Sequence, residues 1–157
     1  MTRQIFVSGQ KVLLLRSFPI RLGLRIIFRG NVMEPAYSVE FRDDHVHVQL
    51  GKGFQVDPEW RDEVWENVRK VCDERGSRRV LVEGYVPSGE RSSDEVIAAG
   101  ERTATIPKLW LAFHMENHVP SEQSELFEAI AASRGVRVKF FPDNDSALAW
   151  LRANAPR

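Results

Sequence analysis

Apolar strands alternate with helix-length segments along most of this 157-residue chain, and this alternation limits the fold more than any other feature. Apolar and polar residues alternate from Tyr37 to Arg42 and again from His45 to Leu50, on either side of the acidic pair Asp43-Asp44. A two-residue apolar period on both sides of a short turn predicts an antiparallel β-hairpin.

Helices and single strands follow the hairpin in turn. The predicted helices start at Asp57-Pro58, Ser92, Ser121 and Asp143, and the first and third end at Gly76 and Gly135. The predicted strands are Val80–Tyr85, Leu109–Phe113 and Val136–Phe140. Crossover connections are right-handed, so strands two to five should run parallel. The predicted fold class is α/β with a mixed, mostly parallel sheet in the order β-β-α-β-α-β-α-β-α.

The charge of residues 1–33 sets them apart. This segment holds six bases and no acid, whereas the whole chain has 22 of each. The predicted division is therefore a basic N-terminal extension, 1–33, and a folded domain, 34–157. Three interpretations of the extension are open: a disordered tail or a misplaced start before Met33, a basic arm that touches anionic lipid or nucleic acid, or an extra strand or helix on the domain.

Composition favours an ordinary globular domain, with 43% apolar and 28% charged residues. A single cysteine, Cys72, excludes an internal disulfide and is typical of a reducing compartment, so the predicted location is the cytoplasm. Cys72 falls on the apolar stripe of the first helix and is expected to be buried and inert. In residues 34–157 acids and bases are interleaved, which argues against nucleic-acid binding by the folded domain.

The four histidines are the natural candidates for a metal site. His45 and His47 share one face of the second strand, and His114 and His118 follow the fourth strand. The parallel arrangement places the two pairs at opposite ends of the sheet, so we predict solvated surface histidines and no metal site. Gly51-Lys52-Gly53 lacks the spacing of a phosphate loop, and we expect no cofactor.

The segment from Pro87 to Glu95 follows the end of a central strand, where ligands and partners meet open parallel sheets. A glutamate three residues after Ser92 completes a capping-box pattern. Two interpretations are open: Ser92 only caps its helix, or Ser92 and Ser93 accept phosphate or contact a partner at the positive helix end. Ser88 and Gly89 belong to the same candidate loop.

Several segments together resemble one known family. They are the early hairpin, Arg79–Gly84, Lys108–Phe113, Ala132–Phe141 and Ala147–Leu151. From about Tyr37 to Leu151, the chain is similar to the STAS-like, SpoIIAA-like domains of bacteria, and most of all to their STAS/SEC14-like branch. In classical members a kinase phosphorylates a serine within an Asp-Ser-Ser/Thr-Gly motif at the start of the helix after the third strand. Ser92-Ser93 occupy that place here, with Arg91 instead of the aspartate and Asp94 instead of the glycine.

The resemblance implies a non-enzymatic regulatory or protein-interaction domain, with carriage of a small apolar ligand or lipid as the alternative. A ligand would need a pocket between helices and sheet, for which Glu83, Tyr85 and His114 are the candidate lining residues. Glu83, His114 and Glu116 lie at or near the upper strand ends and are the only candidates for catalysis. Their spacing indicates no reaction class, so we predict no enzyme. An edge strand is compatible with a homodimer, which no pattern decides.

Overall fold

The structure, a computed structural model, is a mixed β-sheet with four helices. It describes residues 6–7, 10–11, 21–29, 32–54, 58–86 and 91–156. The strands are β1 (Phe6–Val7), β2 (Gln10–Lys11), β3 (Arg21–Arg29), β4 (Val32–Arg42), β5 (His45–Leu50), β6 (Arg79–Gly84), β7 (Trp110–Met115) and β8 (Arg137–Phe140). The helices are α1 (Pro58–Arg75), α2 (Ser93–Thr103), α3 (Glu122–Ser133) and α4 (Asn144–Asn154).

The main sheet confirms the predicted α/β class. Strands β4 to β8 lie in sequence order, with β4 and β5 antiparallel and β5 to β8 parallel, as the hairpin and the crossovers predicted. The hairpin turns at Asp43, whose φ of 48° suits the short acidic turn. Predicted and observed bounds differ by one or two residues at most element ends, which is the usual precision at frayed ends, but β4 starts five residues before the predicted Tyr37.

Strand β3 pairs antiparallel with β4 and extends this sheet to six strands, while β1 and β2 form a separate two-stranded sheet. Strand β3 lies within the predicted N-terminal extension, residues 1–33. The predicted domain boundary between residues 33 and 34 falls inside β4, because the hairpin's first strand starts earlier than its apolar alternation suggested.

Successive strand residues point to opposite faces of the sheet, and the two faces are covered differently. The front face, which carries Val48, Val82 and Leu111, packs against α1 and α3 in the larger core, and α2 packs on the same side against α3 and α1. The back face, which carries Leu81 and Ala112, packs against α4 in a smaller core. Three helices therefore cover one face and a single helix the other.

Helix α1 shows how the sequence pattern produces this packing. Val64, Val68, Val71 and Cys72 are its buried residues, as the apolar stripe predicted. Gly76 follows α1 with a φ of 63°, a left-handed conformation that glycine adopts without strain, and this ends the helix where predicted.

Candidate functional site

The carboxyl rim, the edge of the sheet where the parallel strands end, holds the start of α2. Ser92 is the N-cap residue of α2, and its Oγ accepts the backbone N–H of Glu95 at 3.3 Å. The Glu95 carboxylate in turn accepts the backbone N–H of Ser92 at 2.7 Å. This reciprocal pair confirms the predicted capping box, and it fixes the direction in which α2 leaves the rim.

Both predicted recognition serines, Ser92 and Ser93, are exposed at this rim. The Ser92 hydroxyl also donates to Glu95 Oε2 at 3.1 Å, so capping occupies it. Within the described residues the Ser93 side chain has no hydrogen bond, which leaves its hydroxyl free. Ser88 and Gly89, the other loop candidates, lie outside the residues that the structure describes.

A cavity of about 380 Å³ opens at the carboxyl rim, between the front face of the sheet and helices α1, α2 and α3. Val119, which is 75% exposed, also lines it, so the apolar surface continues outward to solvent. The volume lies within the roughly 300–1,000 Å³ of small-molecule sites, which are mostly apolar in the same way. The apolar walls include Val48, Val82, Phe113, Trp65, Ala99 and Phe127.

Most polar side chains of this cavity are already engaged in holding its walls. Asn117 accepts the backbone N–H of Val86 at 2.6 Å and donates back to the Val86 carbonyl at 3.3 Å. Gln123 donates to the Arg91 carbonyl at 2.6 Å. Ser121 and Ser124 cap α3 reciprocally. These groups position the rim segments and have little capacity left for a ligand.

Two arginines, Arg61 and Arg91, also line the cavity, and neither guanidinium group makes a hydrogen bond within the described residues. The Nε of Arg61 is buried, and it lies 3.6 Å from Asp62 Oδ1, beyond hydrogen-bond distance. Burial lowers the pKa of Arg91, which still stays charged. The described lining residues include no acid.

Glu95, in the first turn of α2, interacts electrostatically with both arginines. The Ser92 backbone N–H, followed by the Ser92 hydroxyl, holds the pKa of Glu95 below its ordinary value, and the charges of Arg91 and Arg61 act in the same direction. Both guanidinium groups are thus within electrostatic reach of one carboxylate at the start of α2. The cavity combines apolar walls with a positive edge.

The predicted pocket residues, Glu83, Tyr85 and His114, do not line this cavity. Glu83 and His114 point to the back face of the sheet. Each is next in sequence to a front-face residue, and consecutive side chains of a strand point to opposite faces. Tyr85 lies under the Lys52 ammonium group, 4.8 Å from its ring centroid, and it does not line the cavity either. Their role in a ligand pocket stays a prediction.

Glu83 is instead the centre of a polar cluster on the back face. Its Oε2 lies 2.5 Å from His47 Nε2, and its Oε1 lies 3.1 Å from His114 Nδ1. Asn144, in the first turn of α4, donates to Oε1 at 2.6 Å. A carboxylate only accepts hydrogen bonds, so His47 carries its proton on Nε2 and His114 on Nδ1. We call these four residues the Glu83 cluster.

Protonation states in the Glu83 cluster follow from its burial and its hydrogen bonds. Burial raises the pKa of Glu83, but hydrogen bonds from His47, His114 and Asn144 outweigh it and hold that pKa below its ordinary value. Burial lowers the pKa of His47 against the opposing hydrogen bond to Glu83. The cluster therefore contains an ionised carboxylate that accepts a hydrogen bond from the neutral imidazole of His47. With its proton on Nε2, His47 has an Nδ1 without a partner among the described residues.

The prediction of solvated surface histidines was wrong for the hairpin pair. His45 is 4% exposed and His47 is 1% exposed, since β5 is an interior strand with neighbours on both sides. His47 lies two residues nearer the carboxyl rim than His45. There the Glu83 side chain bridges His47 and His114.

A second ionic cluster lies at the opposite edge of the sheet, around Asp44. Asp44 accepts hydrogen bonds from Arg79 at 2.9 Å and from Arg152 at 3.2 Å, and Arg79 also donates to the Ala155 carbonyl at 2.8 Å. These contacts connect the hairpin turn to the end of α4, so we assign this cluster a structural role. Cys72 is fully buried, and burial raises the pKa of its thiol to about 12, as expected for an inert cysteine.

Two searches of the described residues bear on metals and membranes. Within that part of the chain, no group of three or more His, Cys, Asp and Glu side chains is placed to hold a metal ion. No helix among the same residues has both the length and the apolar character needed to cross a bilayer.

Comparison of this chain with protein-family models, with curated proteins and with solved structures found no match. Function therefore has to be argued from the geometry of the rim and its cavity.

Sequence reasoning found the rim and missed the cavity at it. In the sequence, Arg91 stands out only as a departure from a family motif. Arg61 lies within the first helix, for which only the apolar stripe was interpreted. One signal for the cavity was present in the sequence. Arg61 lies beside the apolar stripe of α1, one residue after Trp60 and three before Val64. No pattern of single residues indicates that three helices leave a gap.

Proposed function

We propose that this domain binds a small, mainly apolar molecule in the cavity at the carboxyl rim. The observation that supports the proposal is the cavity itself, about 380 Å³ of space with mainly apolar walls. Protein interiors rarely leave voids larger than a water molecule, so an open apolar space of this size is typical of a ligand site. Ligand carriage is the alternative that the STAS/SEC14-like resemblance implied.

The cavity's polar groups favour binding over catalysis. His118 stacks on Phe140 with ring centroids 4.3 Å apart, and within the described residues it makes no hydrogen bond to Ser121 or Ser124. The two serines are occupied in capping α3. A hydroxyl nucleophile needs an adjacent base, and the described lining residues do not supply that pair.

The test is titration with 1-aminoanthracene, a neutral aromatic fluorophore, monitored by its fluorescence enhancement. Ala99 lines the cavity from α2, so Ala99→Trp should fill the space and abolish binding. Ala149→Trp is the matched control, because Ala149 is exposed on α4 and lies outside the cavity. We expect saturable one-to-one binding by the wild type and the control only.

Folding of both variants is checked by far-UV circular dichroism and thermal unfolding. Saturable binding that is equal in wild type and folded Ala99→Trp would move the site elsewhere, and no saturable binding by the wild type would refute the proposal.

A second candidate function is contact with a partner protein at the same rim, as in a STAS-like regulatory domain. It is supported by the order of strands and helices and by the exposure of Ser92 and Ser93 beside the cavity mouth. A photo-crosslinking amino acid at position 93, compared with one at position 149, tests it in cells that make this protein. A crosslinked product specific to position 93 is expected, and its absence would reject the candidate.

A further inference from the structure

The cavity at the carboxyl rim has a charge asymmetry that specifies its ligand further. Its described lining residues include two arginines, Arg61 and Arg91, and no carboxylate. Arginine at the edge of an apolar space is costly to desolvate unless an anion approaches it. Guanidinium groups also present several donors in a fixed plane, which suits carboxylate and phosphate oxygens.

We propose that the ligand is an amphiphile with an anionic headgroup, whose apolar body fills the cavity and whose carboxylate or phosphate is bound by Arg61 and Arg91. This inference rests on the proposed function and adds the chemical class of the ligand. The apolar body meets the walls formed by the sheet and the three front-face helices.

The neighbouring acids leave hydrogen-bond donors of both arginines unused. Glu95 is committed to the α2 capping box, where it accepts from the backbone and the hydroxyl of Ser92. Asp62 is closer to Arg102, at 3.2 Å, than to Arg61, at 3.6 Å. Both guanidinium groups therefore keep hydrogen-bond donors that no described residue uses, and both arginines line the cavity.

The competing polar side chains of the lining are unsuited to an anion or already occupied. Asn117 and Gln123 are hydrogen-bonded to the backbone of the rim segments. Burial lowers the pKa of His118, which favours its neutral form and removes it as a third cation. The headgroup is thus assigned to the two arginines alone.

The experiment compares three ligands of equal chain length by isothermal titration calorimetry: decanoate, decyl phosphate and the neutral decanol. Each is titrated into the wild type, Arg61→Met, Arg91→Met and the double variant. Methionine keeps much of the apolar stem of arginine and removes the charge. Arg134→Met is the matched control, because Arg134 is exposed and pairs with Glu101 away from the cavity.

We expect at least one anion to bind the wild type roughly tenfold or more tightly than decanol, since charge-assisted hydrogen bonds discriminate by about that factor. The double variant should lose this advantage and retain its affinity for decanol, while Arg134→Met changes neither. The anion that binds more tightly identifies the headgroup.

Equal affinity for decanol and for both anions, or unchanged anion binding by the double variant, would overturn the inference and leave the proposed function standing. Failure of all three ligands and of 1-aminoanthracene to bind would refute the proposed function as well. The two failures are therefore distinguishable in one set of titrations.

Discussion

Replacement of Glu83 by alanine tests whether the Glu83 cluster stabilises the sheet or serves another purpose. The change removes the acceptor for His47, His114 and Asn144 together. Because the carboxylate is inside the fold, a structural role predicts a large loss of stability.

The size of the loss follows from how well water can replace the carboxylate. His47 is 1% exposed, so its Nε2–H would remain without an acceptor, which costs about 2 kcal/mol for a donor that is paired with a charged group. The side chain of His114 is 24% exposed and Asn144 is half-buried, so water compensates them and each costs about 0.5 kcal/mol. The total is about 3 kcal/mol, or a lowering of Tm by about 6–12 °C for a domain of this size.

Urea unfolding and thermal unfolding measure this loss, with Glu116→Ala as the control. Glu116 is an exposed carboxylate at the same rim, and its removal should change the free energy of unfolding by less than about 0.5 kcal/mol. A change of that small size in Glu83→Ala would refute the structural reasoning. It would also return Glu83 and His114 to the candidates for chemistry.

Glu83→Gln gives a sharper version of the same test. Glutamine keeps one acceptor oxygen for His114 and Asn144 and presents an NH₂ group to His47. His47 then has to accept at Nε2 and move its proton to Nδ1, where no described residue receives it. We expect a loss of about 1 kcal/mol, together with a tautomer change of His47 in nitrogen-detected NMR spectra. An unchanged tautomer would contradict the assignment.

Three further predictions concern the titration of the core, the cap and a glycine. Burial lowers the pKa of His47 in the folded protein. Below the ordinary histidine pKa of about 6.5, the unfolded chain therefore binds a proton that the folded chain does not, and the free energy of unfolding should fall between pH 7 and pH 5. His47→Gln should flatten this part of the pH profile of stability. Ser92→Ala should cost about 1 kcal/mol in urea unfolding, and a change near zero would contradict the capping role. Gly84→Ala should cost at least about 3 kcal/mol, because Gly84 has a φ of 134° and an added Cβ would lie 2.0 Å from the Leu50 carbonyl oxygen; wild-type stability would disprove the clash.

The fold was predictable because each signal was local and repeated. Alternation placed the hairpin, glycines at positions 76 and 135 ended helices with left-handed backbone, and Ser92 and Asp143 capped the helices that they precede. Right-handed crossovers then fixed the parallel direction of the last four strands. The N-terminal charge gave no comparable signal, since basic residues occur in strands as well as in tails.

The candidate site was only half predictable, and the reason is geometric. Strand order indicated the carboxyl rim, but Val82 and Glu83 are consecutive residues that point to opposite faces of one strand. Which face holds a cavity depends on how closely the covering helices pack, a property of several side chains from α1, α2 and α3 at once. Glu83 and His114 were the candidates because their side chains are of ionisable types. Both lie on the back face of the sheet, which α4 covers.

The two faces of the sheet therefore differ in role: the back face contributes to stability, and the front face holds the proposed binding site. On the back face a carboxylate, two imidazoles and an amide hydrogen-bond to one another in the Glu83 cluster. On the front face the apolar walls are only partly filled, and Arg61 and Arg91 keep unused donors among the described residues. A ligand gains most where apolar area is exposed beside unsatisfied charge. Binding should therefore respond to substitutions at Arg61, Arg91 and Ala99, while substitutions in the Glu83 cluster should change the free energy of unfolding and leave affinity unaltered in whatever fraction of the protein remains folded.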